Sequence, residues 1–199
     1  MELNLNLDMN TVENQKVIAR EVMKSMEIID PTCIVAGGAP RDWYMQKPAK
    51  DVDIFVNSPY SYSNCSVLIG QLKALGIEAK PAIYNSLDAS IYRKNPDIVG
   101  VLDFEFMQVK FQVILCHKGT YSMVDSFPFG ICQAWWKPSI SEAIRTTKAF
   151  DRSLKHKALV RLQAAYGNND FFVKKIKEKF PDWKYYLSYD KLAMDLLDK

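Results

Sequence analysis

The stretch TCIVAGGAPRDWYMQKPAKDVDIFV, residues 32–56, decides how the rest of this 199-residue chain is read. Its opening run, Cys33-Ile34-Val35-Ala36, has the length and character of a buried strand stopped by Gly37-Gly38. Glycines at such a stop let backbone N–H groups approach a ligand with no Cβ in the way. Ala39 to Met45 has room for one or two helical turns, with Pro40 tolerated near their start. Amides at the start of a helix attract anions, and Arg41, within one turn, carries a guanidinium fork that can grip a phosphate at two points. Ten residues after Arg41, Asp51 to Val56 alternates carboxylate with apolar side chain, as a strand does.

Residues two apart on a strand share a face, so Asp51 and Asp53 stand side by side. Adjacent carboxylates repel unless a cation lies between them. Mg²⁺ takes oxygen ligands and bridges one or two carboxylates to substrate phosphates. A phosphate cradle beside a carboxylate pair suits phosphoryl or nucleotidyl transfer, in which one metal activates a hydroxyl and a second stabilises the leaving pyrophosphate. Each piece alone has a plainer explanation: a turn for the glycines, a solvated face for the aspartates, a surface pair for Arg41-Asp42. Their combined order does not.

Outward from this block, residues 3–9 alternate as a short strand, and Thr11 is placed to cap a helix of 18 residues. Val12, Val17, Ile18, Val22, Met23 and Met26 fall on one side of that helix, and Pro31 ends it. On the other side, Ser63 to Leu75 reads as an amphipathic helix closed by Gly76. Residues 98–106 and 109–116 form the best strand pair, joined by Met107-Gln108, and 129–135 adds another strand. From 141 onward the chain reads as helices, broken around Gly167-Asn168-Asn169 and at Pro181. The expected organisation is a mixed α/β domain over residues 1–136 followed by a helical segment over 137–199.

Hydrophobic residues make up 48% and charged residues 25%, which excludes a disordered tail, a collagen-like fibre or a disulfide-stapled miniprotein. The four cysteines include no CxxC pair, so a structural zinc is not expected. No basic-then-apolar leader opens the sequence, and no run approaches the length of a membrane span. The expectation is therefore a cytoplasmic protein with reduced thiols and no membrane partner.

GGAPRD followed by KDVDI resembles the head-domain signature of tRNA CCA-adding enzymes and bacterial poly(A) polymerases, in the DNA polymerase β-like nucleotidyltransferase superfamily. The tight match covers about 25 residues (residues 32–56), with weaker similarity in the order of elements to residue 136. The resemblance implies an α+β fold with a mixed, largely antiparallel sheet flanked by helices. It also implies that Gly37, Gly38 and Arg41 bind a nucleoside triphosphate and that Asp51 and Asp53 hold Mg²⁺ or Mn²⁺. Lys50 is a further candidate for phosphate charge, and Asp42 is read as supporting the loop. Asp125 to Ile131 weakly resembles a later motif of the family.

Members of the superfamily commonly supply a third carboxylate from a neighbouring strand, where this chain has Gln112. A neutral amide cannot offset metal charge or act as a base. With a two-residue loop at Met107-Gln108, Asp103 pairs directly with Gln112 and becomes the candidate third acid, catalytic together with Asp51 and Asp53. In the same register Glu105 faces Lys110, a cross-strand ion pair. His117 and His156 are read as surface residues, and Trp135, Trp136 and Trp183 as packing between segments.

The net charge of +3 conceals a split: residues 137–199 hold 14 Lys or Arg against 8 Asp or Glu, whereas residues 1–136 hold 12 against 15. Leu154, Ala158, Leu162, Ala165 and Tyr166 form an apolar stripe at helical spacing, leaving a basic face outside. Such a face beside the cradle suits an RNA backbone, and equally a solvated surface. The neck, body and tail with which CCA-adding enzymes grip tRNA do not fit in that length, so CCA addition itself is not implied. Two function classes follow. One is a metal-dependent enzyme that transfers a nucleoside monophosphate from an NTP to an acceptor, RNA being one candidate, and releases pyrophosphate. The other is a non-catalytic nucleotide- or RNA-binding module that kept the cradle and lost the third acid. Acceptor, preferred base and oligomeric state are not legible.

Overall fold

The computed structural model describes residues 11–57, 64–82, 95–162 and 170–197; the alternating segment 3–9, the break at 167–169 and the stripe residues Ala165 and Tyr166 lie outside them. Helix α1 runs Val12–Ile29, and the Thr11 hydroxyl accepts from the Asn14 amide at its start. Its inner face is Val12, Gln15, Ile18, Ala19, Val22, Met23 and Met26. Val17 is exposed, one position out of phase with that stripe, and a polar residue, Gln15, takes a buried place.

Strand β1 (Ile34–Ala36) leads into α2 (Gly38–Tyr44), and β2 (Val52–Asn57) follows. Helix α3 (Asn64–Ala74) ends where Gly76 adopts φ +78°. There the Gly76 and Ile77 amides donate to the Lys73 and Leu72 carbonyls, the paired bonds that close a helix on a left-handed residue. Strand β3 (Lys80–Pro81) precedes the long hairpin of β4 (Ile98–Phe106) and β5 (Val109–Cys116). Met107 and Gln108 both have positive φ, as a tight two-residue turn requires, and the register pairs Asp103 with Gln112 and Glu105 with Lys110.

Helix α4 (Thr120–Asp125) comes next, then a short 3₁₀ turn at Gly130–Cys132, β6 (Ala134–Lys137) and β7 (Ser141–Thr146). Two expectations change here. The strand foreseen at 129–135 starts only at Ala134, because Phe129 to Gln133 coil into the 3₁₀ turn. The helical texture foreseen from 141 begins later, because Ser141–Thr146 pairs with β6 and extends the main sheet past residue 136.

The sheet has seven strands in the order β3-β4-β5-β2-β1-β6-β7. Only β2 and β5 are parallel; the other neighbours run antiparallel, so the sheet is mixed and largely antiparallel as expected. Val52, Ile54 and Val56 of β2 pack with α1 and α3 in the larger core, while Phe55 joins Met123 and Val124 of α4 on the opposite face.

The C-terminal segment continues with α5 (Lys148–His156), β8 (Ala158–Val160), α6 (Asp170–Lys179), β9 (Lys184–Tyr186) and α7 (Tyr189–Leu197). The apolar stripe from Leu154 to Leu162 is not one helix. Lys157 turns left-handed at φ +47°, and Ala158–Val160 becomes a strand paired in parallel with β9. Phe150, Leu159, Ile176 and Phe180 pack on Phe129, Ile131 and Ala134, which seats this segment on the 3₁₀ turn and β6. Trp136 is fully buried against Trp43, and Trp183, partly buried, packs on Phe180.

Candidate functional site

The antiparallel register of β1 with β2, Ile34 opposite Phe55 and Val35 opposite Ile54, carries the end of β1 to the start of β2. Gly37-Gly38 therefore arrives beside Asp51 and Asp53. Gly37 adopts φ +84°, which an L side chain rarely tolerates, and its N–H donates to Ala134 O at 2.9 Å. A Cβ there would also lie 3.6 Å from the Phe127 ring.

The link between α2 and β2 is held by Gln15, a residue the sequence pattern gave no reason to single out. Its carbonyl oxygen accepts from Trp43 Nε1 (2.9 Å) and the Ala49 amide (2.8 Å), while its Nε2 donates to Ala49 O (2.9 Å). This buried amide thus fixes the segment that delivers Lys50 and Asp51. A Gln in the first turn of a helix could be noticed only by its intrusion into the apolar stripe.

A cleft of about 290 Å³ is lined by Gly37, Gly38, Arg41, Lys50, Asp51 and Asp53, so six of the seven candidate residues meet in one cavity. Asp103 does not line it. Asp103 sits across Gln112, which itself pairs with Asp53, giving the row Asp53–Gln112–Asp103 on three adjacent strands. Gln112 Nε2 donates to Asp103 Oδ1 at 2.9 Å.

Asp53 is half-buried, and its Oδ1 is withdrawn from solvent with no hydrogen-bond partner. Burial, and then the neighbouring Asp51 carboxylate, push its pKa up to about 7; Asp103 adds to the rise, and Lys175 and Arg41 oppose it. An unsatisfied buried carboxylate oxygen beside a second carboxylate is a natural seat for a divalent cation. Among the described residues no cluster of three or more His, Cys, Asp or Glu side chains is arranged to hold a metal ion. Asp51 and Asp53 are the two carboxylates that could contribute to such a seat, and one or two carboxylates together with substrate phosphates is a common way of holding Mg²⁺.

Arg41 is buried, with Nε donating to Asp42 Oδ1 at 2.8 Å and a terminal nitrogen, Nη1, 3.5 Å from Cys132 Sγ. Burial opposes its charge, but Cys132 and Asp42 outweigh burial and hold its pKa above the ordinary value. Asp42 is buried too, and its second oxygen accepts from Lys179 Nζ. Its side chain thus joins Arg41 of α2 to Lys179 of α6.

The far wall comes from α6: Phe172, Lys175, Ile176 and Lys179 line the same cleft. Lys175 and Lys179 belong to the basic excess of residues 137–199, but nothing local said that they turn inward. Phe55, Met123, Phe127, Pro128 and Phe129 give the cleft an aromatic and apolar side opposite its charged one.

No protein-family model matches the chain, and no curated protein matches it in sequence. Solved structures do match in fold. A tRNA-processing enzyme in an apo form aligns with a TM-score of 0.63 at 16% identity, covering 94% of this chain and 47% of that one. The Thermotoga maritima CCA-adding enzyme complexed with tRNA aligns at 0.61 and 11% identity, covering 89% and 41%. A tRNA nucleotidyltransferase complexed with a primer tRNA and an incoming ATP analogue aligns at 0.58 and 13% identity, covering 88% and 50%. The shares of this chain exceed what residues 1–136 alone could supply, so the likeness reaches into the C-terminal segment. The chain spans half or less of the length of each of these neighbours. It has the nucleotidyltransferase fold that these tRNA-processing enzymes share.

Proposed function

We propose that this chain is a metal-dependent nucleotidyltransferase, moving a nucleoside monophosphate from an NTP to an acceptor hydroxyl or phosphate and releasing pyrophosphate. The observation that carries the reading is the cleft in which Gly37, Gly38, Arg41 and Lys50 face the Asp51–Asp53 pair, with Asp53 Oδ1 buried and unpartnered. Asp51 and Asp53 hold Mg²⁺ or Mn²⁺. When bound, the metal lowers the pKa of the attacking hydroxyl and offsets charge on the leaving pyrophosphate. Arg41 and Lys50 bind triphosphate oxygens, and the glycine pair leaves room for that approach. Asp103 acts from behind Gln112, adding negative potential at Asp53 and orienting the amide.

RNA as acceptor is supported by the basic excess of residues 137–199 and by the tRNA present in two of the aligned structures. The lysines of α6 that face away from the cleft offer backbone contacts, whose signature is salt-sensitive binding. A cytoplasmic setting is supported by four free thiols; among the described residues no helix is long and apolar enough to cross a membrane.

The test is incubation with each labelled NTP, Mg²⁺ or Mn²⁺ and total RNA, following label incorporation and pyrophosphate release. Incorporation that disappears in Asp51→Asn and Asp53→Asn supports transfer. A second reading, a non-catalytic nucleotide- or RNA-binding module, is favoured by the neutral Gln112 and by its hold on Asp103. NTP binding without pyrophosphate release under either metal establishes that alternative.

A further inference from the structure

An arginine beside a buried aspartate usually closes on it with two parallel N–H···O bonds, which neutralises the guanidinium and occupies its fork. Arg41 and Asp42 do otherwise. Arg41 gives Asp42 only Nε, to Oδ1 at 2.8 Å, because Asp42 Oδ2 is taken by Lys179 from the last turn of α6. The side chain of Asp42 is 4% exposed, so both cations meet it away from bulk solvent. The next residue along the chain, Phe180, lies under the guanidinium, 5.6 Å from ring centroid to Cζ. The terminal nitrogens stay at the cleft: Nη1 rests against Cys132 Sγ, and Nη2 would be 3.8 Å from a Cβ on Gly38.

We propose that Lys179 is a positioning residue for the nucleotide site: by holding Asp42 Oδ2 it keeps Asp42 from capturing the Arg41 fork, so that the terminal nitrogens stay at the cleft, with Cys132 as a weak sulfur partner that a nucleoside triphosphate would displace. The C-terminal segment then does more than flank the cleft, because it sets the state of an arginine supplied by α2. This inference rests on the reading of the cleft as a triphosphate site.

Lys179 also lines the cleft, so the test must separate action through Arg41 from direct contact with phosphate. Affinity for each ribonucleoside triphosphate with Mg²⁺ is measured by calorimetry for wild type, Lys179→Met, Asp42→Asn and the double variant. Lys179 has a 39% exposed side chain, so its replacement leaves a folded protein, checked by thermal melting. Lys179→Met is expected to weaken binding about tenfold, the scale of one charge-assisted contact. Asp42→Asn is expected to restore most of that loss in the Lys179→Met background while changing the wild type much less, since an amide cannot capture the fork. Lys179→Arg, which keeps a cation on Oδ2, is expected to bind like wild type.

Equal effects of Asp42→Asn in both backgrounds overturn the proposal, because additivity means that Lys179 acts on the ligand directly or through net charge alone. If wild type binds no triphosphate, the nucleotide reading fails, and the arrangement is judged in the ligand-free protein by the iodoacetamide alkylation rate of Cys132, read by mass spectrometry. A change of about threefold in Lys179→Met that Asp42→Asn reverses supports control of Arg41, since thiol reactivity follows a neighbouring cation. An unchanged rate overturns it.

Discussion

Two aspartates that line the same cleft have opposite fates. Asp42, on α2, is buried with both oxygens engaged by cations, Arg41 and Lys179. Asp53, on β2, has one oxygen withdrawn from solvent with no partner, a like charge beside it, and a pKa raised to about 7. Asp42 is satisfied within the fold, whereas half-buried Asp53 keeps one oxygen shielded from solvent and in deficit. A buried, fully paired carboxylate organises structure, whereas a buried, under-satisfied one signals that a cation from outside completes it. The cradle side of the cleft is thus built and closed, and the strand side is built and waiting.

The sharpest way to break this contrast is to neutralise the waiting side. Asp53→Asn and Asp51→Asn are expected to lower pyrophosphate release by about three orders of magnitude, the several kcal/mol that a bound metal supplies, measured in a coupled phosphate assay. Loss of only a few-fold would show that the pair does not hold the essential cation.

On the closed side the dominant loss is stability. Asp42→Ala leaves the buried Arg41 uncompensated and is expected to cost about 3–5 kcal/mol in urea unfolding. Asp53→Asn is expected to leave the metal-free protein at neutral pH as stable as wild type or more so. Were the two variants equally destabilised, the distinction between satisfied and waiting carboxylates would collapse.

Gln15→Leu tests whether the delivery of Asp51 depends on the buried amide. It leaves the Trp43 N–H and both polar groups of Ala49 without their partner, an expected cost of about 2–4 kcal/mol by denaturant unfolding. Its effect on NTP affinity measures how far the α2–β2 link controls the carboxylate pair.

The last test is the dependence on pH. An ordinary aspartate titrates near 3.9, and Asp53 in the fold near 7, so the folded state binds this proton more tightly than the unfolded chain. Its favourable contribution is complete below about pH 4 and is lost as pH rises through about 7. In the metal-free protein the melting temperature should therefore fall across that interval on account of Asp53. Asp53→Asn should flatten this part of the profile, and Mg²⁺ should raise the wild-type value most at the alkaline end. A profile unchanged by the substitution would place the deficit elsewhere.

The Gly37-Gly38 stop, the spacing to Asp51-Val52-Asp53 and the hairpin register that pairs Asp103 with Gln112 were all legible in the chain. They rest on local chemistry: a glycine where φ is positive, a two-residue periodicity, and a loop too short to permit more than one pairing. The helix over Val12–Ile29 was legible for the same reason, since cap and stripe agree. What failed was equally local in origin. Leu154 to Leu162 kept helical spacing, but Lys157 turned left-handed and the next residues found a partner in β9, a strand more than twenty residues away. Ser141–Thr146 has little apolar alternation and became a strand because β6 offered it an edge.

By itself, then, the sequence placed the glycine stop, Arg41 and the Asp51–Asp53 pair in one short block, because that grouping depends on residue types at short fixed separations. Only the tertiary structure decided that Gln112 stands between Asp53 and Asp103, that Gln15 clamps Ala49, and that Lys175 and Lys179 turn into the cleft. Each of these joins residues far apart in the chain. Such contacts are set by strand order and by the packing of Ile176 and Phe180 against Phe129 and Ala134, which no local pattern encodes.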